Sequence, residues 1–433
     1  MIQKSATRDD DSQLITEEPP EPPSQQSTAS EVLPDNSYVS PPSKTVSLKL
    51  IKTPCRSSVK VRNFRQRFFP AASQTDWDDW NWQMENRIRT PDMLGSILHL
   101  TDNEKQIFAQ RPAAIPLSIT PYYASLLDPV NPSHALRRTV VPTIYENLVS
   151  PGEALDPLAE DKHMPVPGIV HRYPDRVLFL VTHSCSTYCR YCTRSRSINT
   201  SCTASAENYE SALAYIRENK SIRDVLISGG DPLVLSDDIL DWILGNLKAI
   251  PHVEFIRIGT KVPAVLPQRI TRSLIKVFRR RRPLWLSLHV THVDELTQEM
   301  RQACSRLADA GVVLGSQTVL LAGINDTADT LKKLYHELLK IRVKPYYLYQ
   351  CDPISGSGHF RTSVTKGLEL IASLRGYTTG YAIPSYVIDL PGGGGKIPLV
   401  PDSFMGYEGT DLLIKNYKGD VYRYPDTGKM RGI

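Results

Sequence analysis

The chain has 433 residues, enough for one large catalytic domain with additional segments or for two to three average domains. Hydrophobic residues make up 41% and charged residues 22%, which argues against a wholly disordered, fibrous or low-complexity chain. No apolar run approaches the roughly 18 residues of a membrane span, and the first residues lack the apolar core of a secretory signal. We therefore expect neither membrane insertion nor export, and the net charge of +5 is too small to indicate nucleic acid binding.

The first 73 residues differ in composition from the rest. Residues 1–43 contain seven prolines and eight acids against two bases, whereas residues 44–67 contain eight Lys or Arg and no acid. Such a stretch cannot bury enough apolar surface to offset its ordering entropy, so we predict a disordered tail over 1–73, first acidic and proline-rich, then basic. Because an organellar transit peptide would be acid-poor from its start, we expect a cytoplasmic protein, with a mitochondrial location as the alternative.

Residues 74–165 are predicted to be mostly helical. After them, short β-branched or apolar runs alternate with segments of helical periodicity. The predicted strands are 177–183, 224–230, 254–260, 284–290, 312–321 and 344–350, and the predicted helices lie near 205–219, 236–249, 268–280, 294–310, 327–341 and 363–374. Strands that each precede a helix predict an α/β fold with a parallel sheet, either an open doubly wound sheet or a partial barrel. We favour a partial (βα)6 barrel, in which chemistry collects at the carboxyl ends of the strands.

Three of the seven cysteines, Cys185, Cys189 and Cys192, form a C-x3-C-x2-C array after the first predicted strand. The odd and sparse total indicates a reducing compartment and a metal site, since a disulfide scaffold would be denser. Three thiolates would leave one iron of an iron–sulfur cluster without a protein ligand, which is typical of a catalytic cluster. Buried structural thiols and a zinc site completed by His183 are the alternatives.

This cysteine spacing after the first strand of a βα repeat resembles the radical S-adenosylmethionine enzymes. The resemblance implies a 4Fe-4S cluster whose fourth iron binds the amino and carboxylate groups of S-adenosylmethionine. An electron from the cluster then cleaves that cofactor to a 5'-deoxyadenosyl radical. Ser228, Gly229, Gly230 and Asp231, after the second strand, match the family's motif that meets the methionyl amino group, although Gly-Gly-Asp alone indicates only a turn.

A second motif is PGGGGK at residues 391–396. It lacks the spacing of a phosphate-binding Walker loop. The four glycines give the backbone freedom that would let Lys396 lie on a mobile loop and close over a cofactor. By itself, a glycine run that ends in lysine more often indicates an exposed turn.

Together, the cysteine array and PGGGGK resemble the lysine 2,3-aminomutase family, and the likeness extends from about Asp76 to Lys396 through HRYPDRV, RDVLISGGD, IPHVEFIRIGT, PQRIT, KPYYLYQCD and LRGYTTGY. The resemblance implies an isomerase that interconverts L-lysine and L-β-lysine (3,6-diaminohexanoate) by radical 1,2-amino migration on a pyridoxal 5'-phosphate aldimine. It assigns the lysine that links to pyridoxal phosphate to Lys396. It assigns the arginines that neutralise the cofactor phosphate to Arg172 and Arg176.

The resemblance also assigns three substrate-binding residues. Arg194 corresponds to the arginine that binds the substrate carboxylate, and Asp352 and Asp389 correspond to the carboxylates that hold the side-chain ammonium of lysine. The related glutamate-type enzyme has Lys and Asn in place of these two acids, so both acids favour lysine as the substrate. Isolated aspartates in loops are more often caps or turn formers, and only their joint position supports this assignment.

Beyond the tail, we predict a helical region over 74–165, the barrel over 166–380, and the lysine loop with a C-terminal extension over 381–433. Clostridial-type members bind zinc through C-terminal cysteines, whereas this chain has no cysteine after Cys351 and Thr327 stands at the other zinc position. We therefore expect no zinc. We also expect an electron donor such as flavodoxin or ferredoxin, a homo-oligomer, and no nucleic acid or membrane partner.

Two other functions remain open at this point. The same chemistry could act on another basic amino acid or on a protein-bound lysine, although carboxylate binding by Arg194 argues against a tethered substrate. In a different class, an iron–sulfur or zinc module could bind nucleic acid through the basic segment 44–67. That function would leave Lys396 and the paired acids without a purpose.

Overall fold

The structure is a computed structural model that describes residues 58–110, 115–198 and 205–426. The predicted tail lies outside the described residues as far as residue 57. Across the described ranges, no helix is both long enough and apolar enough to cross a membrane.

Seven α-helices precede the first strand within the described residues. They are α1 Val59–Phe68, α2 Gln74–Asp78, α3 Trp80–Glu85, α4 Pro91–Ile97, α5 Asp102–Gln110, α6 Pro121–Ala124 and α7 Ala135–Val140. Helix α1 lies inside the range predicted to be a tail, and the structure differs from the prediction there. Its Val61 is fully buried and the ring of Phe64 lies 6.4 Å from that of Trp77. Apolar residues at helical spacing thus bury one face of this basic segment. The prediction missed this spacing because it considered only the composition of the segment.

The central sheet has nine strands that follow one another in chain order. They are β1 Ile169–Tyr173, β2 Arg176–Thr182, β3 Asp224–Gly229, β4 Phe255–Thr260, β5 Trp285–His289, β6 Val313–Leu320, β7 Lys344–Gln350, β8 Ser385–Leu390 and β9 Gly395–Leu399. Strands β2 to β8 are parallel, whereas β1 and β9 are antiparallel to their neighbours. Since β1 and β9 form the two ends of the sheet, the barrel is partial, as predicted.

Helices connect and follow the parallel strands. They are α8 Ala206–Glu218, α9 Asp237–Lys248, α10 Val262–Val265, α11 Arg272–Arg280, α12 Gln298–Asp309, α13 Ala328–Lys340 and α14 Val364–Leu374. Strands β2 to β7 and the six longer helices confirm the predicted alternation. Strands β1, β8 and β9 were not predicted, because the edge strands β1 and β9 pair antiparallel outside the repeat and β8 is followed by a glycine turn instead of a helix.

Alternation along each strand separates the core from the barrel interior. On β3, Val225 and Ile227 are fully buried in the same hydrophobic core as Leu240 of α9. Leu226 and Ser228, the residues between them, line an internal cavity instead. Burial of the outer layer therefore fixes the register that turns the intervening residues inward.

The glycine run forms the tight turn between β8 and β9. Gly392, Gly393 and Gly395 have positive φ angles of 70°, 93° and 88°. A Cβ on Gly393 would lie 2.4 Å from the ring of His163, so this position also needs the absence of a side chain. The turn sets Lys396 directly opposite Asp389 in the antiparallel register.

The described chain ends in a separate three-stranded antiparallel sheet, made of β10 Phe404–Glu408, β11 Asp411–Lys415 and β12 Val421–Pro425. Its large apolar side chains are exposed: Phe404, Met405, Tyr407, Val421, Tyr422 and Tyr424.

Candidate active site

A cavity of about 610 Å³ lies inside the partial barrel. Its wall consists of inward-facing strand residues, the loop after β2 and the β8–β9 hairpin. Every residue predicted for the site lines this cavity: Arg172, Arg176, Cys185, Cys189, Cys192, Arg194, Ser228, Gly229, Gly230, Asp231, Asp352, Asp389 and Lys396.

The three array cysteines carry free thiols on the loop between β2 and α8. Burial raises the pKa of all three, that of Cys189 to about 11. A thiol in such surroundings is stabilised as a thiolate by a bound cation, and sulfur ligands suit iron–sulfur clusters. Within the described part of the chain, no three His, Cys, Asp or Glu side chains are grouped as ligands of a single metal ion. The donor set fits a cluster, which takes one thiolate per iron.

The N-terminal helical region holds the cysteine loop in place. Arg87 Nη1 donates to the carbonyl of Cys185 at 2.9 Å, and the N–H of Arg190 donates to the carbonyl of Thr139 at 2.9 Å. The buried guanidinium of Arg190 also forms an ion pair with Glu146. Sequence reasoning missed these residues, because an arginine beside a cysteine is equally compatible with a solvated surface.

The glycines after β3 allow the cysteine loop to approach closely. A Cβ on Gly229, which has a φ of 130°, would lie 2.1 Å from the carbonyl oxygen of Thr182. A Cβ on Gly230 would lie 2.2 Å from the carbonyl oxygen of Ser184. Only glycine fits at these two positions, so the end of β3 and the start of the cysteine loop are packed backbone to backbone.

The carboxylate of Asp231 binds the protein's own groups. It accepts hydrogen bonds from the Thr260 hydroxyl at 2.6 Å and from the N–H groups of Lys261, Val262 and Leu233 at 2.7, 3.1 and 3.1 Å. These bonds tie the turn after β3 to the end of β4. A direct contact between Asp231 and a cofactor therefore stays a prediction, and its observed role is to hold the glycine turn.

Lys396 lies on strand β9, whereas the glycine run led us to expect it on a loop. Its N–H donates to the hydroxyl of Tyr173 at 2.7 Å, and its ammonium donates to Asp389 Oδ2 at 2.6 Å. The ammonium also lies 5.4 Å from the centre of the Tyr349 ring. The backbone ladder and these contacts aim the amine into the cavity.

Asp389 and Asp352 form an acidic pair beside Lys396. Asp389 is 5% exposed, and its Oδ1 is buried without a hydrogen-bond partner. Burial and the nearby Asp389 raise the pKa of Asp352 to about 7. A buried carboxylate oxygen without a donor is costly, so this pair has capacity for a further cation.

The two predicted phosphate-binding arginines differ in their surroundings. Arg172 Nη1 lies 3.8 Å from Asp389 Oδ1, and its Nε is buried without a partner. Arg176 is more exposed, pairs with Asp175 at 2.8 Å, and lies 5.0 Å from the centre of the Tyr173 ring. Both therefore stand at the part of the cavity that adjoins β9.

Arg194 is paired with a carboxylate that sequence reasoning missed. Its Nε and Nη2 donate to Glu160 Oε2 and Oε1 at 3.0 and 2.8 Å. Its Nη1 lies 3.4 Å from both Ser228 Oγ and the carbonyl oxygen of Gly229. Glu160 precedes β1 in a segment without a recognisable motif, so its role could not be predicted from the sequence.

Comparison with known proteins identifies the family to which the chain is similar. A model described as the radical SAM superfamily matches residues 179–338, and a model described as lysine-2,3-aminomutase matches residues 371–431. The L-lysine 2,3-aminomutase of Bacillus subtilis (strain 168) is 50% identical over 81% of this chain and 74% of its own length. That of Clostridium subterminale is 46% identical over 84% of this chain and 88% of its own.

The chain belongs to the lysine 2,3-aminomutase family. It is therefore an isomerase of the radical S-adenosylmethionine superfamily, and it uses a 4Fe-4S cluster, S-adenosylmethionine, a reductant and a small-molecule substrate. A relative named glutamate 2,3-aminomutase, from Clostridioides difficile (strain 630), is 42% identical over 82% of this chain. The substrate must therefore be argued from particular residues.

Proposed function

We propose that this chain interconverts L-lysine and L-β-lysine, with pyridoxal phosphate as its third cofactor. The observation that carries the proposal is the acidic pair Asp352 and Asp389, of which Asp389 already accepts a hydrogen bond from an ammonium group, that of Lys396, at 2.6 Å. The side chain of substrate lysine ends in the same group. The Oδ1 of Asp389 accepts no hydrogen bond in the structure, which leaves an acceptor for it.

The residues around Lys396 also fit pyridoxal phosphate. The amine of Lys396 is the anchoring group, and the buried Nε of Arg172 is a donor without a partner in the same part of the cavity. Guanidinium groups suit phosphate because their donors form a fork. When bound, the cluster and S-adenosylmethionine supply a hydrogen-abstracting radical, and pyridoxal phosphate supplies a conjugated ring that spreads an unpaired electron.

The protein's own residues hold the substrate at both ends. Arg194 would bind the α-carboxylate near the end of β3, and Asp352 with Asp389 would bind the ammonium. Fixing both ends sets the position of the carbon that loses hydrogen relative to the radical source. Ser228, Gly229 and Gly230 present backbone beside the cysteine loop, where S-adenosylmethionine would lie.

The test compares lysine with glutamate. We expect the anaerobic, iron-reconstituted protein with S-adenosylmethionine, pyridoxal phosphate and dithionite to form β-lysine and at least about 100-fold less β-glutamate, because a buried acidic pair repels a carboxylate. The double variant Asp352→Lys/Asp389→Asn should lose most lysine turnover and gain on glutamate. Mass spectrometry of both products measures this. A wild-type protein that prefers glutamate would overturn the substrate assignment.

The acidic pair also predicts a pH dependence of lysine binding. Only ionised Asp352 attracts an ammonium, and its pKa is raised to about 7 by burial and by Asp389. Lysine affinity should therefore fall as the pH drops through about 7, by at most tenfold per unit, while the substrate ammonium stays protonated. Calorimetric titration of the holoenzyme between about pH 8 and pH 6 checks this. Asp352→Asn should bind lysine more weakly with a flatter profile; equal slopes in both proteins would contradict the role of Asp352.

The remaining features of the proposal concern partners. A flavodoxin or ferredoxin would supply the electron, and the protein would carry no zinc. The exposed apolar residues of β10–β12 support a homo-oligomer, because a small sheet without a covering layer is marginal in water. We retain the expectation of a cytoplasmic protein without nucleic acid or membrane partners.

A further inference from the structure

Glu160 is a buried carboxylate of the cavity that the substrate assignments leave without a function. It is 5% exposed and lines the same cavity as Arg194 and Asp352. Its N–H donates to Asp156 Oδ1 at 3.1 Å, which fixes its backbone just before a short 3-10 helix, Asp161–His163. Such a fixed, buried acid would be costly unless it served a partner.

The partner is one edge of the Arg194 guanidinium. Both oxygens of Glu160 are engaged, one on Nε at 3.0 Å and one on Nη2 at 2.8 Å. This two-point contact fixes the plane of the guanidinium, because rotation about its axis would break both bonds. The remaining edge, formed by Nη1 and the second N–H of Nη2, is directed to the end of β3. Its contacts there, to Ser228 Oγ and the Gly229 carbonyl, are long at 3.4 Å.

Positive charge around Glu160 keeps this ion pair ionised. Burial raises the pKa of Glu160, but the adjacent Arg194 and Arg196 outweigh burial, and the net pKa lies below its usual value. Arg196 Nη2 lies 3.6 Å from Glu160 and also pairs with Asp156 and Asp161. Arg196 is thus shared among three carboxylates, and it is the free edge of Arg194 that can receive a further anion.

We propose that Glu160 is a positioning residue that turns the free edge of Arg194 toward the substrate α-carboxylate. The inference rests on the proposed function, since the carboxylate is that of L-lysine. A residue in this role should strengthen the binding of a ligand with a charged carboxylate. It should have little effect on the affinity for a ligand with a neutral carboxamide at the same place. L-lysinamide is such a ligand, because it keeps both amines and replaces the carboxylate.

The experiment measures binding of L-lysine and L-lysinamide to the reconstituted holoenzyme by calorimetry, for wild type, Glu160→Gln and Glu160→Asp. We expect Glu160→Gln to weaken lysine binding about 10- to 100-fold and lysinamide binding less than about threefold, the scale of a charge-assisted hydrogen bond. Glu160→Asp keeps the charge but is shorter, so it should lie between wild type and Glu160→Gln. If Glu160→Gln does not fold, the ratio of lysine affinity to lysinamide affinity is compared between Glu160→Asp and wild type instead.

The matched control is Glu254→Gln. Glu254 makes the same two-point contact with Arg223, at 2.8 and 2.7 Å, on the exposed surface, and its loss should leave both affinities unchanged. Equal weakening of lysine and lysinamide by Glu160→Gln, or no change in either, would overturn the inference while wild type still makes β-lysine. A wild type that makes no β-lysine would overturn the proposed function as well.

Discussion

Replacing Lys396 by Ala is expected to reduce β-lysine formation at least about 1,000-fold, the scale of losing a residue that bonds covalently to its cofactor. The amine of Lys396 is the group proposed to bond covalently to pyridoxal phosphate, and the variant should purify without the visible absorbance of the bound cofactor. Absorbance spectra and mass spectrometric product assays measure the two effects.

Lys396→Arg separates anchoring from charge. An arginine keeps a cation beside Asp389 but cannot form the covalent link, so it should fail like Lys396→Ala while melting at a temperature closer to wild type. Lys418→Ala, which removes an exposed lysine on the turn after β11, is the matched control and should remain active. Retention of pyridoxal phosphate absorbance and turnover in Lys396→Ala would refute the assignment.

Loss of any one array cysteine should have the second largest effect. Cys185→Ala, Cys189→Ala and Cys192→Ala are each expected to lower bound iron and to reduce 5'-deoxyadenosine formation at least about 1,000-fold, because a cluster with two protein thiolates is not held. Iron analysis, electron paramagnetic resonance of the reduced protein and product assays measure this.

The control for these variants is another buried cysteine. Cys304 lies on α12 and is fully buried in the hydrophobic core, away from the cavity. Cys304→Ser should lower stability, since it buries a hydroxyl without an assigned partner, yet it should retain iron. An array variant with full iron content and normal 5'-deoxyadenosine yield would show that its cysteine is not a ligand.

The repeating part of the fold could be predicted because its signals are local. Runs such as the one that contains Val225 and Ile227 are apolar and β-branched, and each precedes a segment of helical periodicity. Helix α1 could not be predicted in the same way, because its basic composition indicates a solvent-exposed segment. The apolar residues on its buried face, such as Val61, are a weaker signal. Strand β9 was missed because the glycine run that leads into it indicates a flexible loop, whereas the pairing with β8 that makes it a strand is a tertiary contact.

The residues of the candidate site likewise fall into two groups, those that a sequence motif predicts and those that only tertiary contacts reveal. Cys185 and Lys396 each belong to a sequence motif, so their positions in the cavity could be expected from the sequence and the family resemblance. Glu160 and Arg87 carry none, and only the folded chain brings them to Arg194 and to the carbonyl of Cys185. Residues that orient other residues depend on distance and angle, which spacing in sequence does not encode.

The antiparallel register of β8 and β9 limits how this part of the gene can change. Asp389 and Lys396 face each other because the turn between them has a fixed length. Side chains alternate sides along a strand, so inserting or deleting one codon in the glycine turn would direct the lysine to the opposite face of the sheet. The length of this turn is therefore inherited as a unit with the two side chains that it aligns.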